Sequence, residues 1–529
     1  MTPSSRPLGL GRIRALTTVV GALVLLVGLA LAAGVLDSGG EARGDPQLGR
    51  EAAATPTNLI AKLANNSPLL AADPTDSRFV VMANRVDSPD FGCSLQLSGD
   101  GGRSWVTADP VRRLPPGAQK CYAPEVAFDR DGVLYYLFLG LQGKGNTPMG
   151  AFLATSTDRG RSFSPPRKLL DGTVFQVRMA LDRTVGSKGR LHLVWIQAGA
   201  LRLGGFATPL NPIMTASSDD GGKSFSKPVQ VNDPNRRRVV APALALGRDG
   251  AVHVLYYDLG DDARDYEGRA GPTWKGKWSL VMASSTDGGR RFDRSTVVDD
   301  DVVPPERVML IFTMAPPALV ADGSGGVYAA WHDGRNGDWD VFMRRSRDSG
   351  RRWTAVQRLN DDPVRDGRHQ YLPRLSLSSD GRVDAIWYDR RNNRENRGND
   401  VYYAYSTNRG ATFSRNLKLT SLDSDSEIGQ VYDIPSALGP PLKKEFGSRI
   451  ALLSQGSKTL AAWTDTRNTG RAAPSQDIFS RQVVFPSSGG AAWTRFVGAA
   501  LALLALAGLA LGHRGMLRRV AGRTRAASR

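Results

Sequence analysis

Between residues 50 and 486 the apolar residues fall in short runs broken by Gly, Asp, Asn and Pro, instead of recurring at the three-and-four spacing of a helix face. That pattern predicts strands. In residues 371–420, Leu375 to Ser378 alternates apolar and polar positions and Asp380-Gly381 signals a tight hairpin. Val383 to Trp387 and Val401 to Tyr405 are two further apolar runs, and Phe413 to Leu417 begins another. Four antiparallel strands in succession form one blade of a β-propeller.

The unit repeats. Ser-x-Asp-x-Gly-x-x-aromatic occurs six times, starting at Ser98, Ser156, Ser218, Ser285, Ser346 and Ser406, with spacings of 58, 62, 67, 61 and 60 residues; the last copy carries Asn408 in place of Asp. A near-constant period of this length marks stacked supersecondary units. Each box falls in the turn between the third and fourth strands. There the Ser and Asp oxygens accept backbone N–H groups, Gly supplies a positive φ, and the aromatic packs beneath the turn. The boxes are read as a folding device, remote from any ligand.

A second pattern gives the number of blades. Trp331-His-Asp333-Gly-Arg335, Trp387-Tyr-Asp389-Arg-Arg391 and Trp463-Thr-Asp465-Thr-Arg467 each end a second strand, and the third has no box after it. The recurring Asp and Arg are expected to form a structural clasp. A blade without an outer strand exposes an unpaired edge, which closed propellers complete with a strand from the other chain end. Residues 57–63 are the expected donor. The fold is therefore read as all-β, a seven-bladed propeller with six blades as the alternative, flanked by N- and C-terminal hydrophobic helices.

Composition changes sharply outside the repeats. Arg6, Arg12 and Arg14 precede an apolar run from Ala15 to Leu36, so residues 1–40 read as a signal peptide or a membrane anchor, both open. Residues 493–512 read as a transmembrane helix and 513–529 as a basic cytoplasmic tail, which leaves the propeller of residues 50–486 outside the cell membrane. About half of the net charge of +18 belongs to these ends, and no interleaved basic and aromatic patch points to nucleic acid. Cys93 and Cys121, the only cysteines, lie in neighbouring units; a disulfide and a pair of buried thiols both remain open. The sequence shows no CxxC, no His cluster and no metal-ligand spacing, so no metal or cofactor is expected. The domain is read as a monomer.

Chemistry is expected at the channel. Aligning the innermost strands of the seven units gives equivalent positions Leu69, Glu125, Arg178, Ala243, Ala318, Arg374 and Arg449. A ring would gather Arg178, Arg374 and Arg449 around one axis, where planar guanidinium forks match a carboxylate or other acidic ligand. Pairing of these arginines with Glu125 is the competing structural role. Asp258 stands apart because its unit lacks the clasp Arg and carries a long acidic loop, Gly260 to Lys277, that either covers the channel mouth, binds a cation or is simply solvated.

The six boxes resemble the Asp-boxes, or BNR repeats, of sialidases and related glycoside hydrolases. The Trp-x-Asp-x-Arg units are similar to those of bacterial exported sialidase-like propellers, and the likeness spans residues 65–485. It implies an exo-α-sialidase-like enzyme in which three arginines hold the substrate carboxylate, an Asp is acid/base catalyst, and a Tyr activated by a Glu is nucleophile. Arg178, Arg374 and Arg449 are then the substrate-binding set. Tyr371, Tyr122, Glu125 and Asp258 are the catalytic candidates. The chain departs from that family in lacking the N-terminal Arg-Ile-Pro motif and in having more than the usual six blades. The alternative is a non-catalytic surface propeller that binds protein or polysaccharide.

Overall fold

The computed structural model describes residues 45–486, except 56–62, 88–89, 112–113, 145, 185–188, 199–210, 248–249, 263–273, 293, 305–314, 426–445 and 469–475. Both terminal hydrophobic segments, and most of the acidic loop after Asp258, lie outside the described residues. One compact unit spans Leu48–Val484. It contains seven antiparallel sheets and no α-helix among the described residues.

Each sheet is one blade, entered through its innermost strand: Asn65–Ala72, Lys120–Phe128, Val174–Asp182, Val239–Leu246, Ala318–Ala321, Gln370–Leu377 and Ala451–Gln455 for blades 1 to 7. Each inner strand packs against those of the blades on either side, and blade 7 against blade 1, so the ring is closed with seven members. The second strands are buried on both faces, as in Val252–Asp258 and Val383–Asp389, because each is covered by the blades before and after it. Trp195, Trp331, Trp387 and Trp463, all on second strands, are among the largest fully buried side chains.

The boxes hold neighbouring blades together. In all six, the Ser hydroxyl accepts the N–H of the box Gly at 2.8–2.9 Å. That Gly lies on the preceding blade: a Cβ on Gly102 would come within 2.5 Å of Leu460 Cδ2, and one on Gly350 within 1.8 Å of Met282 Cε. Both also have positive φ, 90° and 76°, so two independent constraints exclude a side chain.

The three Asp-Arg clasps form at the other rim. Asp333, Asp389 and Asp465 each accept a Trp indole N–H, at 2.8, 2.9 and 3.2 Å, and are gripped by Arg335, Arg391 and Arg467. The guanidinium also covers the aromatic of its own third strand, at 4.6 Å over Phe342, 4.1 Å over Tyr402 and 4.2 Å over Phe479. Each then reaches a further acid, Asp299, Asp361 or Glu51. Asp299 and Asp361 belong to the preceding blade, so the clasp both locks a blade and joins two.

The ring is completed from the N-terminal side, as expected, but by an earlier segment. Ala52 and Ala53 pair with Ser480 and Phe479, and Gly49 N–H bonds Gln482 O at 2.8 Å, which places residues 49–55 along the free edge of Asp477–Val484. Of the expected donor, 57–62 lie outside the described residues, and Leu63 only accepts Gln476 N–H at 3.1 Å. Cys93 and Cys121 form a disulfide between blades 1 and 2, with Cα atoms 5.5 Å apart.

Closing a loop of about 29 residues stabilises by roughly 3.5 kcal/mol in the chain-entropy account. Cys93→Ser is expected to lower the urea unfolding midpoint accordingly, and an unchanged midpoint would show that the bond constrains nothing. The boxes set an acid limit. Hydrogen bonds from the Ser162 hydroxyl and N–H and from Ser156 hold the Asp158 carboxyl down to about 2. At Asp100 burial acts upward, but donors from Ser104, Ser98 and Arg103 outweigh it and also bring it to about 2. Depressed carboxylates stabilise the fold above their ordinary range near 4 and lose that contribution as pH falls towards 2. Urea midpoints measured between pH 5 and pH 2.5 should therefore fall steadily.

Candidate functional site

Five inner strands carry the same irregularity near their start. The pairing with the second strand slips by one residue between Asn66 and Leu69, Tyr122 and Glu125, Phe175 and Arg178, Val240 and Ala243, and Tyr371 and Arg374. Within each slip one non-glycine residue has positive φ: Ser67, Ala123, Gln176, Ala241 and Leu372, at 48–56°. A bulge of this kind re-aims the side chains that follow it. The residue two positions on is the channel position inferred from sequence. The bulges also tie blades together, since Gln176 Oε1 accepts Ala241 N–H at 2.8 Å and Ser67 Oγ accepts Ser448 N–H at 2.9 Å.

Glu125 stands where the arginines meet. Its Oε1 pairs with Arg449 Nη1 and, at 3.4 Å, with Arg178 Nη1, while Oε2 accepts Met179 N–H at 3.3 Å. Arg449 is fully committed: Nε donates to Ser67 O at 3.1 Å and Nη2 to Pro124 O at 2.6 Å. One carboxylate thus joins blades 2, 3 and 7 across the channel. Arg449 does so from two residues ahead of its expected place. In register Ala451 faces Ala462, the residue before Trp463, just as Arg374 faces Ile386 before Trp387.

Arg374 is different. It makes no hydrogen bond or ion pair among the described residues, and its Nε is sealed from solvent without a partner. Burial, then the Arg449 guanidinium, push its pKa down to about 10; Glu125 opposes this and Arg178 adds to it. These three groups are therefore its electrostatic neighbours. Three guanidinium groups lie around one carboxylate, which pairs with two of them, so the cluster carries an excess of two positive charges.

The catalytic candidates are each engaged elsewhere. Tyr122, 3 % exposed, accepts Arg85 Nη1–H at 2.9 Å and lies beneath that guanidinium, which also pairs with Asp87. Tyr371 donates to Asn399 Oδ1 at 2.8 Å and stacks on Tyr388 with ring centres 5.4 Å apart. Asp258 pairs with Arg236 and accepts Gly260 N–H at 3.1 Å. Glu125 serves the arginines. The partners of the two hydroxyl groups, Arg85 for Tyr122 and Asn399 for Tyr371, are not carboxylates. The bulges and the Arg85–Tyr122–Asp87 cluster escaped the sequence reading. Their only signal is the recurrence of an extra residue ahead of the channel position.

Residues 212–433 match the BNR repeat-like domain family, and no curated protein matches the chain. A crystal structure of a protein of unknown function from Dyadobacter fermentans matches with 13 % identity and a TM-score of 0.45, over 83 % of this chain and 99 % of that one. The Hadza microbial sialidase Hz136 matches with 14 % identity and a TM-score of 0.43, over 77 % and 74 %. An ulvan lyase of polysaccharide lyase family PL25 matches with 12 % identity and a TM-score of 0.44, over 84 % and 99 %.

Removing the shared carboxylate leaves the arginines unopposed. Glu125→Gln is expected to destabilise the fold by about 3 kcal/mol, read as a drop in the denaturation midpoint, and Arg449→Met in the same chain to restore part of it. A variant as stable as the parent would mean that Glu125 does not brace the channel.

Proposed function

We propose that the chain is a membrane-anchored, extracytoplasmic propeller that binds acidic glycans at the upper mouth of its channel, where Arg374 is the ligand-seeking group. The uncommitted Arg374 guanidinium carries this reading. A partly buried cation with two like charges beside it is stabilised by an anion, and a carboxylate matches its planar fork. Arg178, held to Glu125 only at 3.4 Å, is the second group able to turn towards a ligand, while Arg449 braces the site. This support is for binding. The hydrolytic, exo-α-sialidase-like half of the expectation has no such support, because Tyr122, Tyr371, Glu125 and Asp258 are each occupied by the partners described above.

The test uses the full-length protein with sialylated and uronic-acid oligosaccharides as probes and their neutral counterparts as controls. One charge-assisted contact is worth roughly 1.5–3 kcal/mol. Arg374→Met should accordingly weaken binding of the acidic probes about tenfold or more and leave any neutral binding unchanged. Equal affinity for acidic and neutral probes, or for parent and variant, sinks the assignment. Release of a fluorogenic sialoside's leaving group by the parent would restore the hydrolytic reading.

A further inference from the structure

Both ends of the ring leave by the rim that carries the boxes. Asp477–Val484, the third strand of blade 7, starts at the clasp rim, where Asp477 accepts an N–H of Asn468 at 3.0 Å. It ends at the box rim, where Gln482 Nε2 donates to Gly101 O at 2.5 Å. The N-terminal segment runs antiparallel to it, Gly49 against Gln482 and Ala53 against Phe479, so it enters from the same rim. Nine residues lead from Val484 to Trp493, where the segment read as a transmembrane helix begins, a reach of at most about 30 Å.

That rim is positively charged. Every box exposes a cation: Arg103, Arg161, Lys223, Arg290, Arg351 and Arg409. In the boxes of blades 1 to 3 four cations are matched by four aspartates, but those of blades 4 to 6 hold six arginines and only two aspartates. Both aspartates are used by their own turns. Asp287 accepts the N–H groups of Arg290 and Arg291, and Asp348 those of Arg351 and Arg352, at 2.9–3.1 Å, and they pair with Arg291 and Arg352. Arg290, Arg347, Arg351 and Arg409 make no ion pair among the described residues. Two further arginines crowd the same seams without meeting a carboxylate, Arg294 donating to Ser349 O at 2.6 Å and Arg345 to Arg409 O at 2.8 Å. Burial, then the charge of Arg351, lowers the pKa of Arg294 although Asp348 opposes it; burial, then the charge of Arg347, lowers that of Arg345 although Tyr328 opposes it.

We infer that the box rim of blades 4 to 6 is a docking surface for the anionic phosphate headgroups of the bilayer that anchors the protein. The inference rests on the membrane-anchored reading above and is independent of ligand binding at Arg374. A guanidinium fork matches a phosphate as it does a carboxylate, and cations spread along one edge suit many phosphates in a plane better than one small anion. Each arginine close to such a surface strengthens the attraction roughly fivefold, an effect that fades beyond a Debye length. The short tether keeps this rim near the headgroups. Docked there, the propeller turns the upper mouth of its channel away from the membrane, towards ligands in solution.

The test reconstitutes the full-length protein in phosphatidylcholine vesicles, with or without phosphatidylglycerol, that carry a headgroup-linked quencher. Both native cysteines are in the disulfide, so a dye attached through Thr407→Cys reports on the box rim and one attached through Glu395→Cys on the clasp rim. Quenching of the first dye should be at least about threefold stronger in the anionic vesicles. It should drop to the phosphatidylcholine level in high salt, and likewise when Arg347→Gln, Arg351→Gln and Arg409→Gln are combined; the second dye should respond to neither. The lipid and salt comparisons do not depend on the triple variant folding. Equal quenching in the two lipids, or quenching that ignores salt and the substitutions, overturns the surface. Loss of the protein from the vesicles in an alkaline wash would instead sink the anchored reading. Flotation with anionic vesicles at low salt then tests the rim alone: the triple variant should bind about a hundredfold more weakly than the parent, and a parent that does not float overturns the inference.

Discussion

No blade of this propeller can bury itself alone, and the rest of the structure follows from that constraint. The second strands are apolar on both faces, so each must be covered by two neighbours. Seven wedges therefore stand or fall together, and the chain places its most specific devices at the seams. At the lower rim a glycine without a side chain lets one blade's turn sit on the preceding blade. At the upper rim a guanidinium is shared between its own blade's Asp and an acid beyond it. Fully satisfied charges of this kind hold geometry more than they add stability, since the desolvation of each ion offsets much of its attraction.

The channel departs from that thrift. Around the axis the bulged inner strands present side chains from distant parts of the sequence, and there the pairing is incomplete. Glu125 answers two arginines at once and Arg374 receives nothing beyond its field. Where the clasp arginines are each paired twice over, an unanswered charge is a departure that the scaffold does not require.

Features repeated in the sequence were legible. The boxes, the Asp-Arg clasps and the blade count could be read because each has several copies, and the channel positions followed by superposing them. Features present once, or lacking a residue signature, were not. The closing strand was expected at 57–63, but the segment along the edge lies earlier, at residues 49–55, with no alternation to mark it. The bulges were invisible because Ser67, Ala123, Gln176, Ala241 and Leu372 share no side-chain chemistry, and none is the glycine that positive φ would suggest. Arg449 was aligned by its neighbours' composition, whereas the ladder places Ala451 at that level. Tyr122, Tyr371 and Asp258 lay near the rim, yet sequence could not reveal that Arg85, Asn399 and Arg236 already hold them.

Completion of blade 7 by residues 49–55 has a temporal side. The hydroxyl of Thr55 accepts the N–H of Ile478 across 423 positions of chain. On a ribosome the first of these residues emerges long before the last exists, so the N-terminal segment must wait, unpaired, while six blades assemble behind it. Such distant pairing makes closure the slow and vulnerable step of biogenesis. Three consecutive alanines, Ala52 to Ala54, short and weakly apolar, give a waiting segment little by which to adhere to the wrong edge.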